Sequence, residues 1–180
     1  CSEAGGAVKH RPLLRSLAIP AVPPDDGREL DLVVGRLPIY GGRTIIGDVT
    51  LRSPLSGEGI PKFHVAGATF HNARLDKARA YPELMRLSSN FYFLVLACEL
   101  RGYLPEECHT LMRQLVRHRA SMLPPHLRPF VVSMHTRRWY GLLSCAIQRA
   151  VAWNIAGVGD LLFEPLHPAP DFEKLCASCV

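Results

Sequence analysis

The chain has 180 residues, of which 48% are hydrophobic and 21% charged, with 21 Lys and Arg against 16 Asp and Glu. That composition excludes wholesale disorder, and the length suffices for a core without metal or disulfide staples. A net charge of +5 and a pI near 9.0 favour a polyanionic partner, and no apolar run approaches the roughly 18 residues of a membrane-spanning helix.

Residues 1–27 read as a tail or linker, with Gly5, Gly6, Pro20, Pro23 and Pro24 as breakers around one short helix at 11–18. The chain opens without Met and without a basic, apolar leader, as expected of a fragment of a longer polypeptide. Residues 28–35 and 43–51 are strand candidates. The turn residues Pro38, Gly41 and Gly42 lie between them, which predicts a hairpin with a longer loop. Residues 53–61 read as a loop, and 65–80 as a helix that Pro82 ends or fixes at its last turn. The run 91–98 is apolar throughout and predicts a strand at the centre of a sheet, covered on both faces. Pro105, Glu106 and Glu107 then open a helix to about residue 120, with Leu111, Met112, Leu115 and Val116 as its apolar stripe.

The longest predicted helix is 137–156. Trp139, Leu143, Ala146, Ile147, Ala150 and Trp153 recur at three-to-four spacing, and Gly157 is a natural C-cap. Such a stripe belongs to a core rather than to a base-stacking platform. Residues 158–180 read as a C-terminal tail. Strands interleaved with helices predict one α/β (α+β) domain over 28–157, a small mixed sheet flanked by helices.

Cys98 and Cys145 fall in apolar segments, where cysteine behaves as a small hydrophobe. Without a secretory leader, a reducing compartment fits better than a disulfide framework. Cys176 and Cys179 have the spacing of half a zinc site, with only His167 nearby in sequence, so a complete site is not expected there.

Two aspartates stand inside strand candidates, Asp31 in the run LDLVV and Asp48 in IIGDVTL. Aspartate is disfavoured in strands, and a carboxylate there costs desolvation unless paired, hydrogen-bonded or metal-bound. On neighbouring strands of one hairpin the two can converge, and such a pair suits Mg²⁺, which takes one or two carboxylates and keeps other positions for water and phosphate. Alternatively, each caps a turn at a strand end. Lys77 follows on the next helix, either as an ammonium beside those carboxylates, able to orient water and offset phosphate charge, or as a solvated surface lysine. Between residues 101 and 149 the acids are only Glu106 and Glu107, against many arginines. Arg113, Arg117, Arg137 and Arg138 are candidate phosphate contacts.

The ordered set Asp31, Asp48-Val49-Thr50, Lys77-x-x-x-Tyr81, then an apolar strand ending near Glu99 and Gly102, resembles the restriction-endonuclease-like domain of LINE-type (non-LTR) retrotransposon polyproteins. That domain belongs to the PD-(D/E)XK superfamily. The stretches 47–55 and 79–84 are similar to retrotransposon-derived reading frames, and the similarity runs from about residue 28 to 157. The resemblance implies a mixed sheet flanked by helices and a nuclease that nicks target DNA with Mg²⁺ or Mn²⁺. Its partners would be DNA and a reverse transcriptase region of the same polyprotein, and its location intracellular, nuclear when genomic DNA is the target. It implies Asp31 and Asp48 as the metal-binding acids and Lys77 as the lysine, carried on the helix because Thr50 stands at the superfamily's usual lysine position. Two other readings remain open. One is a catalytically decayed nucleic-acid-binding module of the same fold, the other a non-enzymatic interaction domain.

Overall fold

The structure, a computed structural model, describes residues 1–19, 21–55, 60, 67–86 and 90–156. Its centre is a four-stranded sheet in the order β1 (Ala7–His10), β2 (Leu32–Gly35), β3 (Thr44–Arg52) and β4 (Phe91–Glu99). β1, β2 and β3 run antiparallel in sequence. β4 lies parallel to β3 over its whole length, from Thr44 opposite Phe91 to Arg52 opposite Glu99. A parallel pair needs a long connection, and this one carries helices α1 (Ala68–Ala80) and α2 (Pro82–Arg86). After β4 come α3 (Glu106–Ser121) and α4 (Arg128–Ala156). A mixed sheet with helices is the α/β (α+β) class that the strand and helix order predicts.

Side-chain alternation divides the sheet into two faces. Val34, Ile45 and Leu94 point to one face and pack with Leu111, Leu115 and Val116 of α3 and Trp139 of α4. Val33 and Ile46 point to the other, where they meet Tyr81, Leu84 and the buried Leu14, Ile19 and Leu30. On that second face Ala73 of α1 packs on Val95 and Ala97. Asp48, two residues beyond Ile46, shares this face.

The chain divides into two compact units, Cys1–Gln148 and Arg149–Val180. In the second, the described residues are helical as far as Ala156. This boundary differs from the expected domain limits of 28 and 157. The first 27 residues are not a tail. Ala7–His10 forms β1, paired with β2 from Ala7 opposite Gly35 to His10 opposite Leu32. Ala4 and Leu14 are fully buried, and the 11–18 segment holds a short 3-10 helix, Leu14–Leu17. The strand escapes sequence inspection because its side chains are largely exposed. Backbone pairing rather than an apolar face holds it, so it has no hydrophobic period to read.

β4 is also placed differently. Among the described residues it lies at the edge of the sheet, not at its centre. Its apolar run is explained by cover on both faces, α1 on one and α3 on the other, since a strand buried on both sides reads as continuous hydrophobicity wherever it lies in the order. α4 begins at Arg128 rather than 137. Pro129 is tolerated there because the N–H groups of a first helical turn have no intrahelical partner to lose. Gly157, His167, Cys176, Cys179 and the tail 158–180 lie outside the described residues.

Candidate active site

The β2–β3 register places Leu32 opposite Gly47. Asp31 is not inside a strand as expected but is the residue just before β2, and from there its carboxyl interacts with that of Asp48 in β3. Gly47 makes the approach possible. A Cβ at that position would lie 2.8 Å from Leu32 Cγ and Cδ1, so a larger residue would push the strands apart where the aspartates meet. Asp31 Oδ2 accepts a hydrogen bond of 2.5 Å from the Val49 backbone N–H, and the Asp31 carbonyl accepts one of 3.1 Å from Arg11 N–H. The carboxylate is thus fixed across the strand ends while its side chain stays exposed.

Asp48 is buried, with its side chain 5% exposed. Lys77, in the last turn of α1, brings Nζ within 2.8 Å of Asp48 Oδ2 and forms an ion pair with it. Burial raises the Asp48 carboxyl above the ordinary aspartate range. The Lys77 ammonium opposes that shift, and Asp31 reinforces it by accepting a hydrogen bond from the protonated form and by its own charge. Asp48 is therefore the shared partner, met by the Lys77 ammonium and by the Asp31 carboxyl.

Two neighbouring carboxylates are oxygen ligands of the type a hard cation such as Mg²⁺ or Mn²⁺ takes, and here one of them already holds the Lys77 ammonium. Among the described residues no group of three or more His, Cys, Asp or Glu side chains is gathered for a metal ion. Such an ion would need these two carboxylates and ligands from beyond the described residues. Glu99 pairs with Arg52 in the parallel ladder, four residue pairs beyond Asp48 opposite Val95.

Two further residues bear on this cluster. Tyr81 caps α1, its backbone N–H reaching Lys77 O at 2.9 Å. Its hydroxyl donates to Glu29 O at 3.1 Å, and its ring packs edge-on against Phe93. Burial, and after it the charges of Asp48 and Asp31, raise its phenol above the ordinary value. Arg28 holds Asp26 at 2.6 Å, contacts Glu83 and the Ala80 carbonyl, and lies over the Tyr81 ring at 5.5 Å from the centroid. It ties the approach to β2 to the α1–α2 junction, which fixes the turn bearing Lys77. A single arginine among Asp25, Asp26 and Glu29 was the available sequence signal for it. Tyr81 was visible as the residue one helical turn after Lys77.

The four candidate phosphate-binding arginines lie elsewhere. Arg113 and Arg117 are on α3, whose apolar stripe packs on the sheet face opposite Asp48. Arg113 is paired with Glu106, and Arg138 of α4 is paired with Glu3 at 2.9 Å. Arg117 and Arg137 are exposed and form no ion pair among the described residues. On the aspartate side, Arg52, Arg74 and Arg79 are the cations that sequence inspection passed over. Each is paired with an acid, Arg52 and Arg79 with Asp76 and Arg74 with Glu107.

No helix among the described residues is long and apolar enough to cross a membrane. No protein-family model matches the chain, and no curated protein is significantly similar to it.

Proposed function

We propose that this chain is a metal-dependent DNA endonuclease domain of a retrotransposon-derived protein, hydrolysing a phosphodiester to nick target DNA. The observation that carries this reading is that the Asp48 carboxyl of β3 is met both by Asp31, the residue just before β2, and by Lys77 of the next helix. Asp31 and Asp48 would hold Mg²⁺ or Mn²⁺, which when bound lowers the pKa of water and neutralises phosphate charge. The Val49 N–H fixes one Asp31 oxygen. Lys77, paired with Asp48, would present its ammonium to the non-bridging oxygens of the scissile phosphate. Arg117 and Arg137, exposed on the far helical layer, attract the duplex without reading its sequence. The partners are duplex DNA and a reverse transcriptase region of the same polyprotein, and the site of action is nuclear when genomic DNA is cut.

The test is nicking of supercoiled plasmid with Mg²⁺, with Mn²⁺ and with chelator, on the chain and on Asp48→Asn. Metal-dependent nicking is expected to fall about a hundredfold or more in the variant, with DNA affinity nearly unchanged. An unchanged nicking rate overturns the mechanism. The thin donor set, two carboxylates with one already neutralised by Lys77, favours a second reading, a nucleic-acid-binding module that no longer cleaves. That reading expects salt-sensitive DNA binding without nicking in either metal.

A further inference from the structure

A second cluster of reactive groups lies on the opposite sheet face. Cys98, near the end of β4, points to the α3 side with Leu94 and Leu96. Cys108 stands in the first turn of α3. Both are buried, at 5% and 4% exposure, and both are free thiols. They line one cleft of about 370 Å³, together with Leu96, Leu111, Trp139 and Leu143. The neighbouring Cys108 thiol lowers Cys98 below its ordinary value, against burial, while Cys98 and then burial raise Cys108. The pair is asymmetric, with Cys98 the better nucleophile and Cys108 the proton-holding partner.

We infer that Cys98 and Cys108 form a reactive dithiol, which a small-molecule disulfide entering the cleft oxidises to an intramolecular disulfide between β4 and α3. The Cys98 thiolate attacks one sulfur of the small disulfide, and the S–S bond breaks to release one small thiolate. Cys108 then gives up its proton and attacks the Cys98 sulfur, releasing the second. Two protein thiols are oxidised, one small disulfide is reduced to two thiols, and the protons of Cys98 and Cys108 end on those products. The bridge would close a short loop, 99–107, and pin the edge strand to the helix that covers it.

The experiment treats the folded chain with 2-hydroxyethyl disulfide, blocks remaining thiols with iodoacetamide, and maps tryptic peptides by mass. The expected product joins peptides 87–101 and 102–113 through Cys98 and Cys108, reverts with reductant, and forms roughly tenfold or more faster in the folded chain than in denaturing urea. In Cys108→Ser, which lacks the resolving thiol, the adduct on Cys98 is expected to accumulate. Equal rates in folded and urea-unfolded chain overturn the inference. So does a wild-type product that stays as the small-molecule adduct on Cys98, or failure of either cysteine to react.

Discussion

At the residue scale, the meeting of Asp31 and Asp48 works against the fold and is retained where the candidate chemistry would occur. Neighbouring like charges repel, and burial adds to the cost of ionising Asp48. The pH dependence follows in sign. A raised carboxyl binds its proton more tightly folded than unfolded, so the folded chain carries the extra proton from the ordinary aspartate value of about 3.9 up to the raised one. Stability is full below that window and falls as pH rises through it. Asp48→Asn is expected to flatten this slope in urea unfolding as pH rises above the ordinary aspartate value. Lys77→Met acts in the opposite sense, leaving a buried carboxylate without its cation. It is expected to cost about 1–3 kcal/mol at neutral pH, since Lys77 is 23% exposed and the pair only partly dry, and to move the Asp48 titration higher still, as read by carboxyl NMR shifts.

At the element scale, Gly47 decides how closely β2 and β3 approach. Gly47→Ala drives a methyl into Leu32 Cγ and Cδ1 and is expected to destabilise by about 1–3 kcal/mol. Gly35→Ala, where a Cβ meets nothing within 4 Å, should leave stability unchanged or slightly raised by the lost backbone freedom. Thermal unfolding of both variants checks the pair. The β2–β3 hairpin and α3 were legible because their apolar positions repeat at the strand or helix period, and α4 was legible in its second half for the same reason; α1 was expected from the run before Pro82, whereas α2, beyond that proline, was not. β1 was not, because Lys9 and His10 face solvent and its contribution is a backbone ladder. The position of β4 was not either, because a strand's side chains report what covers its faces and not what borders its edges. Within the site, Asp31 and Asp48 could be picked out because charge in a strand candidate is costly, and Lys77 because it follows on the next helix, where the resemblance puts the lysine. Arg28 could not, because its three acceptors, Asp26, Glu83 and the Ala80 carbonyl, come together only in the folded chain.

At the scale of the whole molecule, the first residues of the chain and α4 are held to each other. Glu3 accepts from Arg138 at 2.9 Å and from Trp139 Nε1 at 2.6 Å. The hydrogen bond from Arg138, opposed by burial and aided by Trp139, holds the Glu3 carboxyl below its ordinary range. A depressed acid stabilises above its unfolded value and loses that stability as pH falls through the folded one, opposite in sign to Asp48. Glu3→Ala leaves the buried indole N–H without its acceptor and is expected to cost about 1–2 kcal/mol near neutral pH and less in acid, as read by urea midpoints.

The full-length parallel ladder between β3 and β4 also bears on how the chain acquires its structure. The β2–β3 hairpin closes over a short loop, whereas β4 must return across some forty residues of chain before its first ladder bond forms. Contacts that demand long closure form slowly. In pulse-labelled refolding, amide protection is expected in the β2–β3 ladder before it appears along 91–99. Until it does, the α1 face has no Val95 or Ala97 to rest on, and Lys77 reaches Asp48 only in the last cooperative step.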